Sequence, residues 1–241
     1  MNKKNLILLH GALGSSKSFE KLTPYLSDQF NLIMPDLKWH GSRTEANGSF
    51  SMQDLVDDLE NILCKEHIQS ATVFGFSMGG YVALSLALKR ADFFDNIMTL
   101  GTKLDWNPQQ AAKETEMLNP DRIKEKVPQF EQHLKSLHGK NWSNLCVQTA
   151  EMMIDLGINP IISIDNISTI AQPIRFGLGD RDNMVSLNET VNFFRASVDG
   201  ELQIFPNCQH PIEKVNPRLL ASSITAFSNN SYHSQKLETF I

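Results

Sequence analysis

The sequence lacks the features that mark several whole classes of protein. It has only three cysteines, Cys64, Cys146 and Cys208, scattered and odd in number. They form no disulfide framework and no zinc spacing, so a reducing compartment is the simpler reading. No apolar stretch approaches the roughly 18 residues needed to cross a bilayer. Lys3-Lys4 before Leu6–Leu9 has the outline of a secretory leader. The apolar run stops at His10-Gly11 and no small-residue cleavage site follows, so it reads as a buried strand. Positive charge is not in excess: 22 Lys and Arg against 27 Asp and Glu leave a net charge of −5. Neither nucleic acid nor an anionic membrane is therefore expected as a partner. Internal repeats, low-complexity segments, metal-ligand clusters and phosphate-cradling loops are also missing. No metal and no cofactor are expected, and a cytoplasmic location is. Oligomeric state has no signature.

What is present is an ordinary globular composition. The 241 residues are 41% hydrophobic and 20% charged, enough to bury a core without staples. Short apolar runs alternate with longer amphipathic ones, the pattern of an α/β protein. Strands are predicted over Asn5–Leu9, Asn31–Met34, Ala71–Phe76, Asn96–Gly101, Pro173–Leu178 and Glu201–Phe205. Helices are predicted over Ser16–Leu26, Ser51–Cys64, Met78–Lys89, Leu187–Ala196 and Pro217–Phe227. Ser51 suits an N-cap. The rhythm stops between Lys103 and Ala171. A structureless loop of that length is improbable, and stripes such as Phe130, Leu134 and Leu137 point to helices. Pro108, Pro120, Pro128 and Pro160 divide them. The tail, Ser228–Ile241, is polar and expected to fray.

The strongest chemical signal is Gly75-Phe76-Ser77-Met78-Gly79, a G-x-S-x-G between a predicted strand and a predicted helix. A nucleophile on so sharp a turn needs small neighbours, which Gly75, Gly79 and Gly80 supply. The turn lifts the Ser77 hydroxyl from the sheet and aims the Met78 N–H at a developing oxyanion. A serine hydroxyl needs a histidine base, itself held by a carboxylate. The order Ser, Asp or Glu, His leaves His210, in the loop after the last strand. Gly179-Asp180-Arg181-Asp182 follows the preceding strand. Period-two alternation points both aspartates the same way and does not choose between them. A second oxyanion donor is expected from His10-Gly11-Ala12-Leu13-Gly14, with Ala12 the candidate and Leu13 the alternative. His10 is read as a brace for that loop, His40-Gly41 as loop structure, Glu213 as a brace for the histidine loop and His138 as solvated. Cys208 is read as buried packing.

With these motifs the chain resembles the α/β-hydrolase superfamily over nearly its whole length. The likeness rests on HGALGS at 10–15, PDLKWHG at 35–41, GFSMGG at 75–80, GDRD at 179–182 and QHPIEKVNP at 209–217. It implies a six-stranded, mostly parallel sheet flanked by helices, lacking the family's usual first two strands. It implies a core over 1–102 and 172–241 with a helical cap at 103–171. The family's GDxD pattern selects Asp182 as the triad acid. Ser77 sets the chain apart from relatives with an aspartate at the elbow, such as haloalkane dehalogenases and epoxide hydrolases.

The expected activity is that of a carboxylesterase-like serine hydrolase. It would cleave esters or thioesters of small molecules through an acyl-enzyme intermediate. Ser77, Asp182 and His210 form the triad, and the N–H groups of Ala12 and Met78 form the oxyanion hole. Leu13, Trp39, Phe76, Trp106, Trp142 and Met152 are pocket candidates, the cap methionines and tryptophans for an adaptable apolar surface. Two alternatives stand beside it. One is C–C bond hydrolysis, lyase or perhydrolase chemistry on the same triad. The other is a non-catalytic binding protein that keeps the scaffold.

Overall fold

Six parallel strands build the protein's frame. The computed structural model describes residues 3–45, 48 and 50–229. The strands are β1 (Lys4–Leu9), β2 (Phe30–Ile33), β3 (Ala71–Phe76), β4 (Phe94–Leu100), β5 (Ile174–Gly179) and β6 (Gly200–Phe205), in the order β2-β1-β3-β4-β5-β6. Every pairing is parallel. A central parallel strand is covered on both faces, so it reads as an unbroken apolar run. Leu6 to Leu9 and all of β3 are accordingly buried. Alternation then splits each strand between two cores. Ile7, Leu9, Val73 and Ile97 pack on one face. Leu6, Leu8, Phe74, Phe76 and Met98 pack on the other.

Helices α1 (Met52–Lys65) and α2 (Met78–Arg90) contribute buried residues to the first face. Ser51 caps α1 as predicted, its hydroxyl accepting the Asp54 N–H at 3.1 Å. Between β4 and β5 the chain forms α3 (Pro108–Thr115), α4 (Pro120–Lys126), α5 (Pro128–His138), α6 (Trp142–Ile158) and α7 (Ile164–Ile167). Three of the prolines expected to divide this stretch open helices. Pro108, Pro120 and Pro128 sit at first-turn positions, where a missing N–H costs nothing. Leu145, Met152 and Leu156 are buried along α6. Helices α8 (Leu187–Ala196) and α9 (Pro217–Asn229) complete the described residues, α9 covering the second face. The tail beyond Asn229 lies outside the described residues.

One predicted helix is corrected. Ser16–Leu26 is not one helix but two short 3₁₀ turns, Ser16–Phe19 and Thr23–Tyr25. Pro24 explains the break, since inside a helix it removes a donor and collides with the preceding turn. The apolar stripe still does its work: Phe19, Leu22 and Leu26 are buried in the second core.

Candidate active site

Ser77 sits between β3 and α2 at φ 51°, ψ −117°, a left-handed conformation that side chains rarely adopt. Its surroundings hold it there. The Ser77 N–H donates to the Leu100 carbonyl at 2.9 Å, and its carbonyl accepts the Gly80 N–H and the Thr102 hydroxyl, each at 3.0 Å. A Cβ on Gly79 would overlap the Leu9 carbonyl, so only glycine lets the helix start this close to the sheet. The result projects the Ser77 hydroxyl into a cavity at the carboxyl edge of the strands, where open α/β sheets bind ligands.

The ends of β5 and β6 bring the other two residues to it. His210 Nε2 lies 3.3 Å from Ser77 Oγ, and His210 Nδ1 lies 2.8 Å from Asp182 Oδ2. Asp182 Oδ1 accepts the N–H groups of Met184 and Val185, both at 2.9 Å. Burial pushes the Asp182 carboxyl up, but the His210 contact and these N–H groups outweigh it and hold it below its ordinary value. Gly101, at φ 59°, faces the pair; a Cβ there would press on Asp182 and His210 at 3.1–3.2 Å. The two aspartates of the GDRD turn part company. Asp180 Oδ1 accepts the Cys208 N–H at 2.9 Å and so ties the end of β5 to the histidine loop. That bond, with another from Asn207, lowers its pKa.

The loop after β1 forms a turn closed by the Gly14 N–H to the Gly11 carbonyl at 3.1 Å. Ala12 and Met78 both border the cavity beside Ser77. Met78 opens α2, so its N–H has no partner within the helix. His10 braces this loop as expected. Its Nδ1–H donates to the Gly11 carbonyl at 2.8 Å, and its Nε2 accepts the Leu37 N–H at 3.0 Å. Complete burial drives its pKa down to about 4. His40, its ring 5.0 Å away, is held well below the ordinary histidine value by burial and by His10.

His138 departs from expectation. It is buried, not solvated. Its Nε2–H donates to the Leu13 carbonyl at 2.8 Å and its Nδ1 accepts the Gly41 N–H at 3.1 Å, both across the fold. Leu13 itself has φ 57°, so this contact secures a strained turn next to Ala12. Burial lowers the His138 pKa as well.

The cavity is small, about 40 Å³, and is lined by Ala12 from the loop after β1 and by Ser77, Met78 and Tyr81 from the elbow and α2. Lys103 and Trp106 close it from the loop after β4, Met152, Met153 and Leu156 from α6, and Met52 from α1. Of the pocket candidates, Trp106 and Met152 therefore reach it. Leu13, Trp39, Phe76 and Trp142 do not line it. Trp39 packs against Phe50, the rings tilted with centroids 4.7 Å apart, and Phe76 belongs to the opposite core, its ring 5.3 Å from His210. Trp142 is buried in the helical segment and Leu13 under its turn. Lys103 and Tyr81 also line the cavity, although no sequence motif singles them out. Tyr81 shows how the helices are anchored: its hydroxyl accepts the N–H groups of Ile161 and Ile162, both at 3.1 Å. Lys103 had a usable signal, its place just past a strand's carboxyl end. A larger groove of about 260 Å³, bounded by Lys17, His133 and Ile212, includes neither Ser77 nor His210. No group of metal-binding side chains occurs among the described residues. Nor is any helix among them long and apolar enough to cross a membrane.

The family profile for the alpha/beta hydrolase fold matches residues 4–163, more than half of the chain. The chain belongs to the α/β-hydrolase family. Over 84 residues, 34% of this chain, it is 42% identical to the magnesium-chelatase 30 kDa subunit of Rhodobacter capsulatus. That stretch spans 30% of the subunit, and the chain spans about a third of the length of several curated relatives. It is 20% identical to the 2-(acetamidomethylene)succinate hydrolase of Mesorhizobium japonicum, over 92% of this chain and 87% of that protein. Among solved structures, a thermophilic esterase from Thermogutta terrifontis superposes with a TM-score of 0.75 at 20% identity. The superposition covers 93% of this chain and 89% of the esterase, and shows the shared fold.

Proposed function

We propose that this protein is a serine hydrolase that cleaves carboxylic esters or thioesters of small molecules through an acyl-enzyme. One observation carries the reading: the unbroken contact chain from Ser77 Oγ through His210 to Asp182, opening on a largely apolar cavity. Ser77 Oγ attacks the acyl carbon as His210 Nε2 takes its proton. Asp182 keeps Nδ1 protonated and stabilises the imidazolium. The N–H groups of Ala12 and Met78 receive the oxyanion. His210 returns the proton to the leaving group, then activates water to release the acid. Helices α3 to α7 serve as a cap that shapes the acyl site.

The test is covalent labelling with a fluorophosphonate, read by intact mass. Wild type gains one adduct and Ser77→Ala gains none. Ester turnover by Ser77→Ala falls by several orders of magnitude. Equal labelling of both proteins, or full activity in the variant, sinks the assignment.

A further inference from the structure

Among the described residues, Lys103 is the one charged side chain on the wall of the Ser77 cavity, among neighbours such as Trp106, Met152 and Leu156. Its side chain is 11% exposed. An ammonium has three donors to satisfy. One reaches the Met184 carbonyl at 3.3 Å. The nearest carboxylate oxygens, from Glu114 and Glu189, stand at 3.7 and 3.8 Å, beyond hydrogen-bond range. Glu189 is engaged elsewhere, with one oxygen taking the Leu104 and Asp105 N–H groups at 2.8 and 3.1 Å and the other that of Ser186 at 3.3 Å. Among the described residues, then, two donors of the ammonium on this mostly buried side chain have no hydrogen-bond acceptor; the two carboxylates hold it by charge and the Trp106 ring lies 6.0 Å away. Such donors are unfavourable until something supplies an oxygen.

We propose that Lys103 is the specificity-determining residue of this site. It anchors an uncharged oxygen acceptor, a keto, amide or ester carbonyl, in the part of the substrate remote from the scissile bond. The inference rests on the serine-hydrolase reading and narrows its substrate class. Charge selects the uncharged acceptor. Lys103 with Glu114 and Glu189 already sums to −1 in a buried cluster. A bound carboxylate would deepen that excess where water cannot screen it, whereas a carbonyl oxygen accepts the hydrogen bond and adds no charge. The rest of the wall is apolar and sulfur-bearing, suited to the hydrocarbon between the two carbonyls.

The experiment compares p-nitrophenyl levulinate, p-nitrophenyl pentanoate and mono-p-nitrophenyl succinate on wild type and Lys103→Met. Wild type is expected to favour the keto ester over pentanoate by at least about tenfold in kcat/KM, the low end for a hydrogen bond to a charged donor. In Lys103→Met that ratio falls to about one. An unchanged ratio overturns the proposal, as does a wild-type preference for the succinate. Because Lys103→Met leaves two carboxylates facing each other, Lys103→Met/Glu114→Gln is measured alongside, with thermal unfolding to show which variant folds. Calorimetric binding of methyl levulinate and methyl pentanoate to Ser77→Ala, with and without Lys103→Met, separates the two readings. If no ester is hydrolysed but binding discriminates through Lys103, the hydrolase reading fails and the anchor stands. Equal binding of both esters to Ser77→Ala overturns the anchor.

Discussion

Acid should destabilise this protein well above the pH at which its carboxylates protonate. His10, His40 and His138 are buried, and burial lowers the pKa of each, that of His10 to about 4. In the unfolded chain each returns to about 6.5. Below that value the unfolded state binds more protons, so stability falls with falling pH until each folded pKa is reached. At pH 5 protonation stabilises an unfolded histidine by about 2 kcal/mol, while folded His10 recovers only about 0.1 kcal/mol. His10 alone removes about 2 kcal/mol between pH 7.5 and 5, and His40 and His138, lowered in the same direction, add to the loss. That is a large share of the roughly 5–15 kcal/mol of a typical domain. Asp36 and Asp182, with lowered pKa values, act in a different window: their contribution is complete above about pH 4 and fades below it. The assay is urea unfolding at pH 5, 6 and 7.5 on wild type and His10→Gln, which keeps an acceptor for the Leu37 N–H. The variant should lose about 1.2 kcal/mol per pH unit of slope near pH 5. Wild-type midpoints that coincide at pH 5 and 7.5, or a His10→Gln slope equal to wild type, would refute the reasoning.

Three further outcomes follow from single contacts. Asp182→Asn should lower kcat about 10³–10⁴-fold with a smaller change in KM, because the amide favours the wrong His210 tautomer; steady-state kinetics on the best ester decides it. Asp180→Ala frees the Cys208 N–H and loosens the histidine loop, so kcat should drop about 10–100-fold while the thermal midpoint falls by only a few degrees. Tyr81→Phe strands the N–H groups of Ile161 and Ile162 and should cost about 1–3 kcal/mol in chemical denaturation; a change below about 0.3 kcal/mol would show that water replaces the hydroxyl.

The elbow and the histidine loop were legible because local chemistry specifies them. Glycines around Ser77 are needed wherever a strand, a left-handed residue and a helix meet in so few positions. The two aspartates were not separable by alternation, and the structure shows why. Strand geometry ends at Gly179, where the Asp182 N–H turns back to the Gly179 carbonyl at 3.1 Å, so the two side chains no longer share a direction. Asp182 meets His210 and Asp180 meets the Cys208 N–H. His138 was illegible for a different reason. Its helical stripe marks a mostly exposed helix, and only the docking of that helix's end onto Leu13 and Gly41 buries it.

Apart from the Ser16–Leu26 stretch, the order and type of the core elements came from the sequence itself, since apolar period and turn chemistry are properties of neighbouring residues. So did the placement of Ser77, the Asp180–Asp182 pair and His210 at strand ends, because a parallel sheet puts successive carboxyl ends on one edge. The tertiary structure decided what depends on contacts far apart in the chain. It chose Trp106, Met153 and Lys103 for the cavity wall and turned Trp39 and Phe76 elsewhere. It made His10, His40 and His138 neighbours although 128 positions separate the first from the last. Hydrophobicity says that a helix face must be buried but not against what, and that partner is set only when the whole fold closes.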